Sequence, residues 1–443
     1  MNLNSIVAAW LYFIIITDLV AAVDVNCTAM EGNFYSAENN STEKSSDCDQ
    51  NTSLSNFSET IGTGSSAKSV EGELLANDKI KPAIFPIDLI HSRLRPYYTL
   101  REEANERLGL TFATDYTALI QHASFTKSDE DTASGHVFRF YGTWLGFGDR
   151  KSAMGNLVWK AEVRSSIFGN PTPRDMGFDT GSALSTANYK SEDWGFTDMY
   201  WKQRFEGGRY SFILGHMDPG DWADQYPLLN AWTSFLNDAF YNNPTEAIPS
   251  RGFGLVGQVY FSDRFYVMGG VHDANGKGAE LDFESFAKTN EYFSWAEIGY
   301  KESSSVSANQ NTHLHIWHQD RREEKNIEES WGLTSTYSVV TQRGGIAFLR
   351  AGYSEGDAPQ MRRFVGGGFS YKPFGRDTLG IATSWGSPVE KSLRNQITSE
   401  IFYRVQFTQN LTISPDFQLI NKPSYTPEKN WINIIGLRMR LVF

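Results

Sequence analysis

Cysteine is almost missing from this chain: Cys27 and Cys48 are the only two in 443 residues. That excludes a disulfide-dense scaffold and any zinc site built from paired Cys-x-x-Cys motifs. Beyond residues 1–22 there is also no apolar run of the roughly 18 to 20 residues that a membrane-spanning helix needs. No Gly-x-Ser-x-Gly elbow occurs, so the usual acyl-transfer nucleophile is absent. No recurring signature of about 40 residues marks propeller blades. Positive charge is in deficit, with 40 Lys and Arg against 52 Asp and Glu, a net charge of −12. Nucleic acid is therefore not an expected partner, since its binders carry a basic stripe.

Aromatic residues, in contrast, are abundant at 14%, yet mean hydropathy is only −0.41. A polar chain with so many aromatic rings suits a β-barrel with an apolar outside and a wet inside. The last segment is the sharpest sign. From Trp431 to Phe443, residues Ile435, Leu437, Met439, Leu441 and Phe443 fall on one parity, and Gly436, Arg438 and Arg440 on the other. Such a strand, ending the sequence on an aromatic residue, is the closing strand of an outer-membrane barrel.

Alternating segments bounded by turn residues recur upstream. They predict an all-β, transmembrane antiparallel barrel of about sixteen strands, with a short N-terminal helix. The predicted spans are 110–122, 136–147, 155–166, 195–206, 209–217, 252–261, 264–273 and 292–302, followed by 311–319, 330–341, 344–354, 362–371, 378–386, 397–408, 410–420 and 431–443. Short links such as Glu206-Gly207-Gly208, Ser262-Asp263 and Thr408-Gln409-Asn410 alternate with long connections, notably 167–193 and 218–251. That is the turn-and-loop pattern of outer-membrane barrels.

Ahead of the barrel, residues 1–22 read as a secretory signal, with a largely apolar stretch from Ile6 to Val20 and cleavage near Ala22. Residues 23–81 are rich in Asn, Ser, Thr, Asp and Glu, which predicts a disordered polar periplasmic leader. Cys27 and Cys48 lie in it, where export would permit a disulfide. Residues 82–109 are read as a helical segment. Thr99 and Glu102 form a capping-box pattern for a helix over Leu100 to Arg107, and Gly109 is placed to end it. The barrel proper is assigned to 110–443.

Charge parity identifies the inner wall, because Arg or Lys facing lipid costs about 2 to 4 kcal/mol at mid-membrane. Arg139 and Tyr141 oppose Phe138 and Phe140; Lys160, Glu162 and Arg164 alternate with Trp159, Ala161 and Val163; Glu400 and Arg404 alternate with Ile401, Tyr403 and Val405. Asp416 and Gln418 oppose Phe417 and Leu419, while Arg438 and Arg440 complete the set from the last strand. Glu297 and Arg350 are assigned to the same wall. Each such residue either braces the barrel by pairing with its neighbours or touches the solute. Both charge signs beside Tyr and Trp suit neutral polyols, since aromatic faces stack on sugar C–H faces while ions bond hydroxyls. Asp218-Pro219-Gly220-Asp221-Trp222 opens the long loop, and with Trp232 and Phe235 it is the candidate constriction. No metal is expected. His313 and His315 share a strand face with Trp317 and Gln319, but nothing of supporting spacing completes a ligand set.

Several blocks, in order, resemble the carbohydrate-selective porin family typified by the OprB porins. They are the entry 100–110, the strand pair 200–216 around Glu206-Gly207-Gly208-Arg209, the segment 270–276, the segment 291–300, and the closing pieces 400–404 and 413–418. The resemblance runs from about Arg101 to Phe443. It implies a sixteen-stranded bacterial outer-membrane porin that passes mono- and oligosaccharides by diffusion, with no cofactor and no enzymatic activity. Its expected partners are small carbohydrates, outer-membrane lipid, and the assembly machinery that reads Phe443. The alternative is an outer-membrane barrel with a binding, polysaccharide-export or lipid-hydrolase role.

Overall fold

The computed structural model describes residues 68–443 apart from 80, 86–93, 150–152, 302–310 and 342–343. The signal peptide expected at 1–22, most of the expected leader, and both cysteines lie outside the described residues.

Sixteen strands close into one antiparallel barrel in which each strand pairs with its neighbours in sequence and β1 pairs with β16. The first half comprises β1 (Leu110–Ala123), β2 (Thr132–Asp149), β3 (Ala153–Ser166), β4 (Glu192–Phe205), β5 (Tyr210–Met217), β6 (Gly252–Tyr260), β7 (Phe265–Asp273) and β8 (Tyr292–Tyr300). The second comprises β9 (Asn311–Gln319), β10 (Ser330–Val340), β11 (Ile346–Glu355), β12 (Met361–Tyr371), β13 (Thr378–Pro388), β14 (Gln396–Gln406), β15 (Leu411–Asn421) and β16 (Trp431–Val442). The largest departure from the predicted spans is at β2, read from 136 and observed from Thr132. Closure sets Asp115 opposite Val442 and Ala123 opposite Ile434, so no strand edge is left for lipid to face.

Parity assigns the two faces as the alternation requires. On β16, Ile432, Ile434, Arg438, Arg440 and Val442 are buried while Trp431, Ile435, Leu437 and Met439 are exposed. The outside is an apolar band with aromatic rings at its ends: Trp144, Phe147, Phe205, Phe261 and Phe374 near the short turns, and Trp194, Trp331 and Trp431 near the long loops. The final residue adds one more rung, Phe443 N donating to Thr114 O at 2.9 Å.

Among the described residues, two helices precede the barrel. The second, α2 (Arg95–Leu108), replaces the helix expected from Leu100. It begins a turn and more earlier, at Arg95 with Pro96 in its first turn, and its N-cap Leu94 makes no side-chain capping bond, so Thr99 lies inside the helix and caps nothing. Proline in a first turn fixes φ where no backbone donor is needed, and this outweighed the capping box. Its end is as expected: Gly109 has φ +66, and a Cβ there would press on Leu145 Cβ at 3.1 Å. The first helix, α1 (Val70–Asp78), corrects the leader expected to reach residue 81. Ser69 caps it, accepting from Gly72 N at 3.2 Å.

Candidate functional site

The interior of the barrel is built as much by inserted loops as by the wall. After β5, Asp218 accepts from Gly220 N at 2.9 Å and sets a tight turn over Pro219–Asp221, which contains the short Pro-Gly link read from the sequence. The chain then runs inward. Trp222, Ala223, Tyr226, Leu229, Trp232, Phe235 and the short α4 (Asp238–Tyr241) are all buried. Phe235 packs edge-on to Phe402 at 5.0 Å, and Tyr226 meets Phe348 at 4.9 Å. A methyl group at Gly352 of β11 would collide with Thr245 Oγ1, so the glycine is what lets the loop lie on the wall.

A loop inside a barrel carries backbone donors and acceptors that water no longer reaches freely, and each needs a partner. The inward charges supply them. Glu400 accepts from Leu236 N at 2.6 Å and from Asn237 N at 2.9 Å. Arg404 donates to Thr233 O at 2.7 Å and Arg350 to Asn242 O at 2.7 Å, while Arg438 donates to Ala231 O. Glu297 accepts from Asp224 N at 3.2 Å, and Gln418 from Asn237 Nδ2 at 2.8 Å. Asp416 sits beside Gln418, accepting from its amide at 3.0 Å.

Asp224 is the loop's deepest anchor. Its backbone is left-handed, with φ 46, a conformation that aspartate tolerates better than most residues. Its carboxylate holds Arg350 at 2.6 Å, His313 at 2.6 Å and Thr336 at 2.8 Å. Burial opposes the charge, but Arg350 and the imidazoles outweigh it and hold the carboxyl well below the usual range. His315 lies between Glu246 at 3.0 Å and Glu297 at 3.4 Å. Both imidazoles are thus engaged by carboxylates, and among the described residues no cluster suited to a metal forms.

Opposite this anchor lies a second network. Lys160 pairs with Asp198 and, at 3.3 Å, with Asp221. Glu162 takes Arg164 at 2.6 Å and Arg251 at 2.9 Å, and Arg251 also reaches Glu192 at 2.7 Å. Asp218 joins through Arg251 at 3.6 Å and Lys68 at 3.9 Å. Burial disfavours the Asp218 carboxylate, and these cations overcome it and lower its pKa. Asp115 bridges Arg139 and Arg440, the latter at 2.7 Å. Trp232 lies between the guanidinium groups of Arg139 and Arg164, 5.0 and 5.2 Å from its ring, and Trp222 stands edge-on to Tyr200 at 5.7 Å. Tyr141 accepts from Asn77 of α1 at 2.6 Å.

The charged side chains read as lining are thus on the inner side of the barrel, most of them bonded to inserted segments, and the chain after Asp218 runs inward. Two inserts were missed. The connection 167–191, which carries α3 (Pro173–Asp179), also turns inward: Thr186 donates to Gln121 at 3.0 Å and accepts from Gln418 at 2.9 Å, while Ser185 N donates to Asp238 at 3.2 Å. Helix α1 was the other, and Ser69 ahead of Glu71 and Glu73 was its available sequence signal.

At the long-loop mouth these inserts line an open cavity of about 340 Å³. Asn188, Asp238, Tyr241, Asn243, Gln319 and Gln360 are among its lining residues.

Comparison with known proteins accords with this architecture. The chain is similar in structure to Pseudomonas putida OprB in its high-pH form, with a TM-score of 0.61 and 15% identity over 78% of this chain and 97% of that one. The low-pH form of the same protein aligns with a TM-score of 0.46 at 16% identity, over 78% and 96% of the two chains. A mutant porin of Rh. blastica aligns with a TM-score of 0.46 at 10% identity, over 75% and 100%. At these identities the first likeness speaks for the fold alone. No curated protein matches the sequence. The family description "Carbohydrate-selective porin, OprB family" matches residues 303–443, the stretch that holds β9 to β16. Over that third of the chain the sequence is similar to the carbohydrate-selective porins of the OprB family, in accord there with the resemblance read from the sequence.

Proposed function

We propose that the protein is a bacterial outer-membrane porin that passes mono- and oligosaccharides passively, and that it performs no covalent chemistry. The observation that carries this reading is the lumen itself, a closed sixteen-stranded barrel narrowed by inserted loops and lined with aromatic rings and charges of both signs. A sixteen-stranded barrel leaves an aqueous channel unless something fills it. Here much of the filling is an inserted loop, apolar where it packs and held to the wall by polar side chains, so the remaining path is narrow and rich in donors and acceptors.

A sugar crossing such a path exchanges its water hydrogen bonds for bonds to the wall at little net cost, because each hydroxyl both donates and accepts. The mouth cavity offers amides from Asn188, Asn243, Gln319 and Gln360, the Tyr241 phenol and the Asp238 carboxyl. Its volume lies at the lower end of the range typical of small-molecule sites, about 300 to 1,000 Å³. The signal peptide cleaved near Ala22, the polar leader, and assembly through Phe443 belong to the same reading. Arg404 and Glu400 would then act on the solute mainly by fixing the loop, and Trp232 and the mouth residues would meet it.

Liposome swelling with the purified protein tests this. Glucose and maltose should enter at rates well above those of protein-free vesicles. Rates equal to the protein-free control, from protein that migrates as a folded barrel in an unboiled gel, would refute the porin reading.

A further inference from the structure

Helix α1 occupies the lumen on the side away from the Asp224 anchor. Ser69, Val70, Glu71, Glu73 and Leu74 are buried, on more than one face of a nine-residue helix. A helix lying on a barrel rim would bury one stripe only.

Two independent observations explain why it stays there. The first is apolar. Val158 of β3, Ile213 of β5 and Val256 of β6 point inward and are fully buried, although a wet lumen calls for polar residues at those positions. Val70 and Leu74, one turn apart on α1, join these residues in one packed cluster with Ala113 and Met217. The second is electrostatic. Glu73 pairs with Arg139 at 2.9 Å and accepts from Asn230 of the long loop at 2.8 Å, and Glu71 pairs with Lys202. Lys68, just before the helix, reaches Asp221 at 3.4 Å, and Asp78 at its end pairs with Arg101 of α2 at 2.9 Å. Among the described ion pairs, Glu71 is the only one formed by Lys202.

We infer that α1 is a second constriction element, a lumen-resident helix that sets the size limit and the charge preference of the pore together with the long loop. This deepens the porin reading and rests on it. With the helix seated, Glu71 and Glu73 neutralise the basic side of the wall. With it withdrawn, Lys202 and Arg139 line a wider and more cationic path.

The test is single-channel conductance, ion selectivity and saccharide size limit in planar bilayers, comparing the full chain with a variant lacking residues 68–79. An α-helix with its side chains is about 10 Å across, so its loss should raise conductance by about twofold or more, admit longer oligosaccharides, and shift selectivity toward anions. A charge-reversed pair avoids deleting anything: Glu71→Lys with Glu73→Lys should reproduce the wider pore, and Glu71→Lys combined with Lys202→Glu should return it toward the parent. A conducting parent whose deletion and reversed variants match it in all three readouts would overturn this inference alone. If neither the parent nor the deletion variant conducts, the porin reading falls and takes this inference with it. A silent parent and an open deletion variant would support the helix as the closing element.

Discussion

Glu400→Ala should loosen the long loop without opening the barrel. Glu400 of β14 accepts two backbone N–H groups in succession, from Leu236 at 2.6 Å and Asn237 at 2.9 Å. It is 2% exposed, and among the described residues neither donor has another acceptor. Leaving a buried donor unsatisfied costs about 1 to 3 kcal/mol, and two such donors cost about 2 to 6 kcal/mol. That penalty falls on docking of the loop, because the strand ladder of β13, β14 and β15 uses none of these atoms. At the lower bound of about 2 kcal/mol the undocked fraction rises roughly 30-fold. Single-channel recording should show larger current noise and brief wider openings. Limited proteolysis should cut within 218–251 faster, while the unboiled gel still shows a folded barrel. Glu400→Gln keeps one acceptor and should fall between the two. Unchanged noise and unchanged cleavage in Glu400→Ala would refute the argument that this carboxylate holds the loop.

Other expectations follow from the same contacts. Trp232→Ala removes the ring between Arg139 and Arg164, where each cation–π contact is worth about 0.5 to 2 kcal/mol; conductance should rise and discrimination among sugars should fall, measured by competitive swelling assays. Glu162→Ala leaves Arg164 and Arg251 with Glu192 as their nearest remaining shared acid, and stripping one partner from a buried pair costs about 3 to 5 kcal/mol; the yield of folded barrel should drop, checked by heat-modifiable migration. Lys81, between α1 and α2, has a pKa lowered to about 8, first by burial and then by Arg440 and Arg404. Because its folded pKa is depressed below the unfolded value, its contribution to stability rises with pH between about 8 and 10.5. Ion selectivity should shift toward cations over that first unit above pH 8, and Lys81→Met should flatten the profile when reversal potentials are read across pH.

The barrel was legible because period two is enforced by solvent on two sides at once. An outward Arg is costly at every membrane rung and outward positions stay apolar, so each strand repeats the message, and sixteen repeats are hard to misread. The long loop was legible for a weaker reason, an Asp-Pro-Gly-Asp-Trp start followed by apolar residues that a solvent-facing loop would not carry. The insert at 167–191 gave less, since Ser182, Ser185 and Thr186 look like ordinary loop residues and become structural only by bonding Leu184 O, Ala187 O and Gln121. Helix α1 was hidden by its surroundings. Its neighbours on the N-terminal side are Ser- and Asn-rich, and Val70 and Leu74 gain meaning only against Val158 and Val256, which lie far away in sequence.

The same distance explains why the role of the inward charges was open in the sequence. Parity tells which way Arg404 and Arg438 point, but their partners are the carbonyls of Thr233 and Ala231, which every residue type possesses and no sequence reveals. Most of the charges read as wall turn out to hold inserts, and the inserts carry the surfaces left facing the path. It follows that substitutions on the wall and on the inserts should separate in kind. Removing Arg438 or Arg404 frees a loop carbonyl and alters gating noise, whereas altering the Asn188 side chain at the mouth leaves the bonds from wall to insert in place and alters which solute is preferred. A barrel built this way keeps a rigid wall for assembly while its selectivity resides in segments that the strand ladder does not constrain.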